Sequence, residues 1–311
     1  MQHRVLRRTF LVLAILYLAG TLFGGISLGW MALHPGHRPL TAKDEHRAEA
    51  ATHDENAELS DVQIVTSDGI ILRAWFIRPA QTNGNSVLLL HGVSDNRLGM
   101  YGYGDWLAKN HYSVLLADAR GHGLSGGDLA TYGLRESDDI HQWVNWLQEN
   151  DHSRCVFGLG ESMGAAQLLQ SLAEESRFCA VVAESPFATF REVAYARFGR
   201  PFHVGPWLGR TFFRPTVDVG FLYVRLRYGL NMETASPEQA VVGTHVPVLL
   251  IHGLSDRNIP SYHSDQIQAH NRRDVALWKV AGAVHTGAHT VAPQEFERRV
   301  LDWFSIHSLK N

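Results

Sequence analysis

One five-residue stretch constrains this chain more than any other: Gly160-Glu161-Ser162-Met163-Gly164. The apolar run Cys155-Val156-Phe157-Gly158-Leu159 precedes it, and the helix-forming run Ala165-Ala166-Gln167-Leu168-Leu169 comes directly after. A strand that gives way to a helix over so few residues must turn sharply, and the residue at the apex is held in a strained backbone conformation with its side chain pushed outward. Side chains two positions before and after the apex would collide with the neighbouring strand and helix. Glycine at 160 and 164 removes the Cβ atoms that would clash. The helix beyond the turn aims its free N–H groups and the positive end of its dipole at the serine oxygen.

A Gly-x-Ser-x-Gly turn alone is a short motif, and any α/β protein can carry a glycine-rich strand-to-helix turn. Residues further along the chain narrow the choice. A reactive serine on such a turn is paired with an acid and then a histidine, in that order. Pro247 to Gly253 reads as a buried parallel strand, and Asp256 falls on the loop just past it. The next apolar run, Val275 to Val280, leads into a loop carrying His285. Strand-end loops are where ligands bind in open α/β sheets. Ser162, Asp256 and His285 are therefore the expected catalytic residues. His289 competes with His285 but is expected to be its neighbour rather than the base. His91, His122 and His252, each next to a glycine, are expected to hold loops by hydrogen bonds.

An oxyanion needs two backbone donors. The N–H of Met163, directly after the serine, is one candidate. The strand Ser86 to Leu90 runs into His91-Gly92-Val93, and Val93 N–H is the other. With these parts the expected chemistry is acyl transfer. His285 takes the Ser162 proton, Asp256 holds the imidazole tautomer, and water releases the acyl-enzyme. The same parts would serve an acyltransferase that uses an alcohol or amine in place of water. A non-catalytic binding protein is the third reading, and the intact Ser162, Asp256 and His285 argue against it. A dehalogenase of such a fold needs a carboxylate nucleophile, whereas position 162 is serine. No His/Asp cluster has metal-ligand spacing, so neither a metal nor a cofactor is expected.

The 311 residues hold one catalytic domain of about 250 residues and an N-terminal segment of different character. Arg4, Arg7 and Arg8 precede an uncharged, apolar stretch from Thr9 to Leu33. As a helix it would be about 37 Å long, enough to cross a hydrocarbon layer of about 30 Å. Residues 1–33 are read as a membrane anchor, with a signal peptide as the alternative. The best cleavage site, Ser27-x-Gly29, is weak. The three arginines favour a cytoplasmic N-terminus and an extracytoplasmic domain. Residues 34–60 read as a polar linker. A net charge of −3 without a long basic run gives no sign of nucleic-acid binding. Cys155 and Cys179 begin two apolar runs expected to be adjacent parallel strands. In an oxidising compartment they would be placed to form a disulfide, and otherwise they are small buried thiols.

Residues 61–308 read as an α/β domain. The runs Val62 to Thr66 and Ile70 to Ile77 flank Ser67-Asp68-Gly69, a hairpin signal. From residue 86 onward strands alternate with helices, which indicates a mainly parallel, doubly wound sheet. Ala119 to Gly127 is a glycine-rich loop that lacks the Gly-Lys-Ser/Thr of a phosphate loop. Between the strands near 178–183 and 247–253 lies an insertion at about 187–235. It interleaves aromatic residues such as Tyr195, Phe202, Trp207, Phe212 and Phe221 with arginines, without strand alternation. It is read as a small helical lid over the serine, suited to an apolar or aromatic acyl substrate.

Taken together, His91-Gly92, Asp118-x-Arg120-Gly121-His122-Gly123-x-Ser125, Gly160-x-Ser162-x-Gly164, His252-Gly253-x-x-Asp256 and His285 resemble the α/β-hydrolase superfamily. Among its members the chain looks most like bacterial lid-bearing hydrolases similar to the serine aminopeptidase-like and prolyl-oligopeptidase-like ones. The resemblance spans about residues 60–308 and implies a serine hydrolase acting on an ester or amide. The superfamily also contains lipases, thioesterases and acyltransferases, so the likeness does not select a substrate.

Overall fold

The computed structural model of the chain describes residues 2–54, 57–200 and 205–309. Phe202, one of the aromatic residues of the insertion, lies outside them. The elements in chain order are α1 (Gln2–Leu33), α2 (Ala42–Asp54), β1 (Ala57–Val65), β2 (Ile71–Pro79), β3 (Asn85–Leu90), α3 (Tyr101–Lys109), β4 (Ser113–Ala117), α4 (Glu136–Trp146), β5 (Cys155–Glu161) and α5 (Met163–Ser171). They continue with β6 (Phe178–Glu184), α6 (Phe190–Gly199), α7 (Trp207–Arg210), α8 (Arg214–Tyr228), α9 (Pro237–Ala240), β7 (Val248–Gly253), α10 (Tyr262–His270), β8 (Val275–Val280), α11 (Ala288–Val291) and α12 (Pro293–His307). The chain divides into two compact units, residues 35–189 with 235–311, and residues 1–34 with 190–234.

The larger unit carries an eight-stranded sheet in the order β1-β2-β4-β3-β5-β6-β7-β8. β1 pairs antiparallel with β2 and β2 with β4, and every later pairing is parallel. The expected opening hairpin and doubly wound sheet are both present. Strands β3, β4 and β7 are buried along their whole length. Their unbroken apolar runs reflect that burial, because a parallel sheet is covered on both faces. Leu88 and Leu90 point into a core with Trp143, Leu168 and Val181, while Val87 and Leu89 point the other way, toward Phe157, Phe296 and Phe304. Helices α4 and α5 close the first face, and α3 and α12 the second.

The glycine-rich loop after β4 is held by charge. Asp118 is buried and accepts from Arg97 Nη2 at 2.8 Å, Arg97 N at 2.7 Å and Leu124 N at 2.8 Å. A Cβ on Gly123 would lie 2.1 Å from an Asp118 carboxylate oxygen, which is why glycine stands there. Arg120 is clamped on Asp139 at 2.6 and 2.7 Å and on Asp68 at 2.9 Å. The residues of this motif build the loop through buried, charge-assisted hydrogen bonds.

The reading of residues 34–60 as a polar linker is corrected. Residues 42–54 form α2, and β1 starts at Ala57, pairing with Pro79 of β2. Ala48 and Thr52 are buried, and Thr52 Oγ1 lies 2.9 Å from the Tyr101 hydroxyl. Arg38 is tied on both sides, by its N–H to Ser94 O and by its carbonyl to Asn96 Nδ2, each at 3.0 Å. The segment looks polar because only a narrow stripe of it packs. The small residues Ala48 and Thr52, four apart on one helical face, carry little hydropathy signal.

Cys155 and Cys179 form a disulfide with a Cα–Cα distance of 5.6 Å. The pairing of β5 with β6 passes from Val156↔Phe178 directly to Phe157↔Ala180. Cys179 is the residue skipped, and the bulge turns it toward Cys155. The bond closes a loop with a sequence separation of 24, for which chain entropy gives a stabilisation of about 3 kcal/mol. Replacing both cysteines by serine is expected to lower the denaturant-unfolding free energy by roughly that amount. Unchanged stability, or two thiols that titrate without reductant, would show that the bond does not form.

Candidate active site

The strand-to-helix turn at the end of β5 has the features its sequence demands. Ser162 sits at φ 51° and ψ −109°, a left-handed strained conformation for a residue with a side chain. Its N–H donates to Glu184 O at 2.8 Å. A Cβ on Gly160 would lie 2.7 Å from Ala165 N, and one on Gly164 would lie 2.3 Å from Leu90 O and 2.7 Å from His91 O. Neither position admits any other residue without moving backbone. Met163 opens α5, so its N–H is one of the unsatisfied donors of a helix N-terminus. Gly92 is packed against the turn too, its missing Cβ 3.6 Å from Ser162 Cβ. The loop that carries Val93 is thereby brought beside the serine.

The three residues expected to work together are in contact. His285 Nε2 is 2.8 Å from Ser162 Oγ, and His285 Nδ1 is 2.7 Å from Asp256 Oδ2. Asp256 Oδ1 accepts from the N–H groups of Asn258 at 2.8 Å and Ile259 at 2.9 Å. Burial of Asp256 works against its charge. Hydrogen bonds from His252 and His285, the charge on His285 and the Ile259 amide outweigh it and hold the carboxyl well below the usual carboxylate range. The Asp256 side chain is fully buried, and that of His285 is partly open to solvent.

The other histidines take structural places. His252 Nε2 donates to Ile259 O at 2.7 Å, and in the neutral ring Nδ1 accepts from Ser264 Oγ, also at 2.7 Å. This fixes the loop that presents Asp256. His91 Nδ1 donates to Gly92 O at 2.7 Å while Nε2 accepts from Ala119 N at 3.1 Å. Burial, and then the neighbouring His122, pull its pKa down to about 4, so the ring stays neutral and its tautomer is set. His122 contacts Arg120 O at 3.0 Å. His289 faces Glu297 at 3.0 Å and packs at an angle against the rings of Tyr103 and Phe296.

Sequence reasoning missed Glu184 and Tyr103 and gave Glu161 no role. The Tyr103 hydroxyl donates to Glu161 Oε1 at 2.8 Å and lies 3.4 Å from Glu184 Oε2. Glu184 Oε1 accepts the Ala288 N–H at 2.9 Å, three residues past His285. Ser185 Oγ reaches the Thr286 N–H at 3.4 Å. The end of β6 therefore grips the serine turn through the Glu184 carbonyl and the His285 loop through two side chains. Ser185 at φ 53° and Thr286 at φ 50° share the strained backbone of Ser162. Burial raises both carboxyls, Glu161 to about 7 and Glu184 to about 8, with the Glu161 charge adding to the second. No local pattern marks this pair, since Glu184 is distant from Tyr103 in sequence. Among the described residues no three His, Cys, Asp or Glu side chains are grouped to hold a metal ion.

Comparison with known proteins bears on the fold and the class of activity. The family profile of serine aminopeptidase, S33, matches residues 81–217. The uncharacterized protein YqkD of Bacillus subtilis is 27% identical over 252 residues, covering 80% of this chain and 80% of that protein. The solved Pyrococcus furiosus esterase Pf2001 superposes with a TM-score of 0.69 at 25% identity, over 89% of this chain and 98% of that one. An acylaminoacyl peptidase of Pyrococcus horikoshii shares the fold, with a TM-score of 0.61 at 17% identity, over 82% of this chain and 42% of that chain. Strand order, family profile and the likeness to the esterase converge: the chain has the α/β-hydrolase fold and is of the serine-hydrolase type.

Proposed function

We propose that the protein is a membrane-anchored carboxylic ester hydrolase in which Ser162, His285 and Asp256 form a catalytic triad. The contact that carries this reading is the unbroken chain Ser162 Oγ–His285 Nε2 at 2.8 Å and His285 Nδ1–Asp256 Oδ2 at 2.7 Å. Asp256 stays ionised and accepts a hydrogen bond from His285 Nδ1–H, which fixes the tautomer and leaves Nε2 free to take the proton of Ser162. As Ser162 Oγ attacks the substrate carbonyl, the Met163 and Val93 amides receive the developing oxyanion. The imidazolium then protonates the leaving alcohol. Water, deprotonated by His285, attacks the acyl-enzyme and returns Ser162 to its hydroxyl form. Likeness to an esterase at 25% identity favours an ester over an amide. The insertion follows β6 in the chain, the strand beside the one that leads to Ser162, and is read here as a lid.

The anchor is α1, a 32-residue helix with a mean hydropathy of 2.1 in its most apolar window. A disulfide inside the catalytic unit supports an oxidising compartment, and hence an extracytoplasmic domain on a cytoplasmic N-terminus.

A fluorophosphonate probe is expected to label Ser162 and to lose its target in Ser162→Ala. Hydrolysis of nitrophenyl esters should fall by about 10⁴-fold or more in Ser162→Ala, His285→Ala and Asp256→Asn. Persistent labelling of Ser162→Ala, or near-normal turnover by His285→Ala, would refute the triad. Faster cleavage of aminoacyl anilides than of esters would move the assignment to a peptidase.

The buried acid pair gives a second test. Both pKa values are raised above the ordinary carboxylate range, so the native protein holds protons that the unfolded chain has lost. Their contribution to stability is therefore complete at about pH 4.5 and is lost as pH rises through about 7 to 8. Each proton released corresponds to a slope of about 1.4 kcal/mol per pH unit. Glu184→Gln should flatten the decline in unfolding free energy between these pH values, measured by denaturant titration across the range. An unchanged slope would mean that the pair is not protonated.

A further inference from the structure

Helix α1 packs on the insertion within the smaller unit. A Cβ on Gly25 would lie 2.6 Å from Thr216 O and 2.6 Å from Val219 Cγ1. One on Gly29 would lie 2.8 Å from Gly220 O, and one on Gly220 would lie 2.9 Å from Gly25 O. Backbones this close require glycine on both helices. The contacts climb both helices together. Tyr17 donates its hydroxyl to Phe212 O at 2.7 Å, Gly25 meets Thr216, Gly29 meets Gly220, and the His34 ring lies 5.9 Å from that of Tyr228. Helix α8 therefore runs parallel to the second half of α1, and the turn before it lies level with Tyr17.

That level is deep. With Arg8 at one boundary, a hydrocarbon layer of about 30 Å is crossed in about 20 residues, close to Leu28. Tyr17 then lies about 14 Å inside the near boundary, and Phe212 lies at the same height. Whatever medium surrounds this part of α1 surrounds the turn as well. The side chains suit it. Trp207 and Phe212 are exposed by 64 and 56%. Several of the charges nearby are paired, Arg191 with Asp218 at 2.6 Å and with Glu233, Arg210 with Glu192 at 2.5 Å, and the exposed Arg214 more loosely with Asp218 at 3.8 Å. Pairing of this kind is what ionisable groups at membrane depth require. Arg225 and Arg227 lie toward the upper end, at headgroup height.

We propose that residues 207–226 insert into the lipid bilayer alongside α1, with Trp207 and Phe212 in hydrocarbon and Arg225 and Arg227 among the headgroups. The insertion is then a second membrane element, and its partner is the bilayer itself. The inference rests on α1 crossing the membrane, and the experiment separates the two. Single cysteines are placed in the full-length chain at Phe212, Trp207, Val12 and Glu149, labelled with an environment-sensitive fluorophore and reconstituted in phosphatidylcholine vesicles. The native cysteines, joined in the disulfide, do not react without reductant. Fluorophosphonate labelling of each variant reports that it has folded.

Probes at Phe212 and Trp207 should be quenched several-fold more by acyl-chain spin labels than by aqueous iodide, as at Val12, with the reverse at Glu149. If Val12 behaves as lipid-facing while both insertion probes are quenched by iodide, or are shielded from both quenchers by a second copy of the chain, insertion is refuted and the anchor stands. If Val12 is quenched by iodide, anchor and insertion fall together.

Discussion

Gly164 sits so close to the carboxyl end of β3 that an added methyl group would lie 2.3 Å from the Leu90 carbonyl oxygen. The site is organised around that contact. It brings the start of α5 against β3, and with it the loop of Gly92 and Val93 to the side of Ser162. Serine, helix N-terminus and second amide loop are thus placed by one backbone packing constraint rather than by separate side-chain contacts. The strain at Ser162, with φ 51°, is sustained because Gly160 is pressed on α5 from the other side while the Ser162 N–H is held by Glu184 O.

Strand β6 extends the same organisation to the base. Asp256 and His285 come from loops after β7 and β8, and loops are the most mobile parts of such a fold. Here they are gripped. His252 locks the Asp256 loop through Ile259 O, and Glu184 with Ser185 locks the His285 loop at Ala288 and Thr286. A buried carboxyl is costly when charged, and Glu184 has only the Ala288 amide and a long contact to Tyr103 as partners. Its neighbour Glu161 makes a second charge costlier still. Burial raises both carboxyls, and each proton they hold spares the interior a buried charge.

The parts that could be read in the sequence are those where backbone geometry restricts residue type. Gly160 and Gly164 are legible because no other residue fits. Asp256 and His285 are legible because parallel strands ending in loops repeat at a recognisable spacing and in a fixed order. The hairpin at residues 67–69 and the buried runs of β3, β4 and β7 reflect turn chemistry and two-sided burial. The features that stayed hidden depend on contacts between distant residues. The packing of α2 rests on Ala48 and Thr52, which no hydropathy pattern distinguishes. The Cys155–Cys179 bond depends on a bulge that adjacent-strand reasoning cannot place. The link from Tyr103 to Glu184 spans 81 positions, and either residue alone looks like an ordinary member of its helix or strand.

The two compact units differ in what holds them. The larger is a covered sheet whose apolar strands are buried on both faces and whose glycine-rich loop is held by paired charges. Among the described residues of the smaller, Ala194, Tyr195 and Val217 form one small buried cluster with a few partly buried neighbours. Its helices are also joined by glycine-mediated backbone approach and by ion pairs such as Arg191–Asp218. Those two devices are weak in water, where exposed ion pairs contribute little and apolar side chains such as Leu226 are left uncovered. They are strong in hydrocarbon, where close packing and paired charge are what helix association has to work with. The proposed bilayer insertion rests on this division, a covered sheet in one unit and close glycine-mediated packing of α1 on α8 in the other.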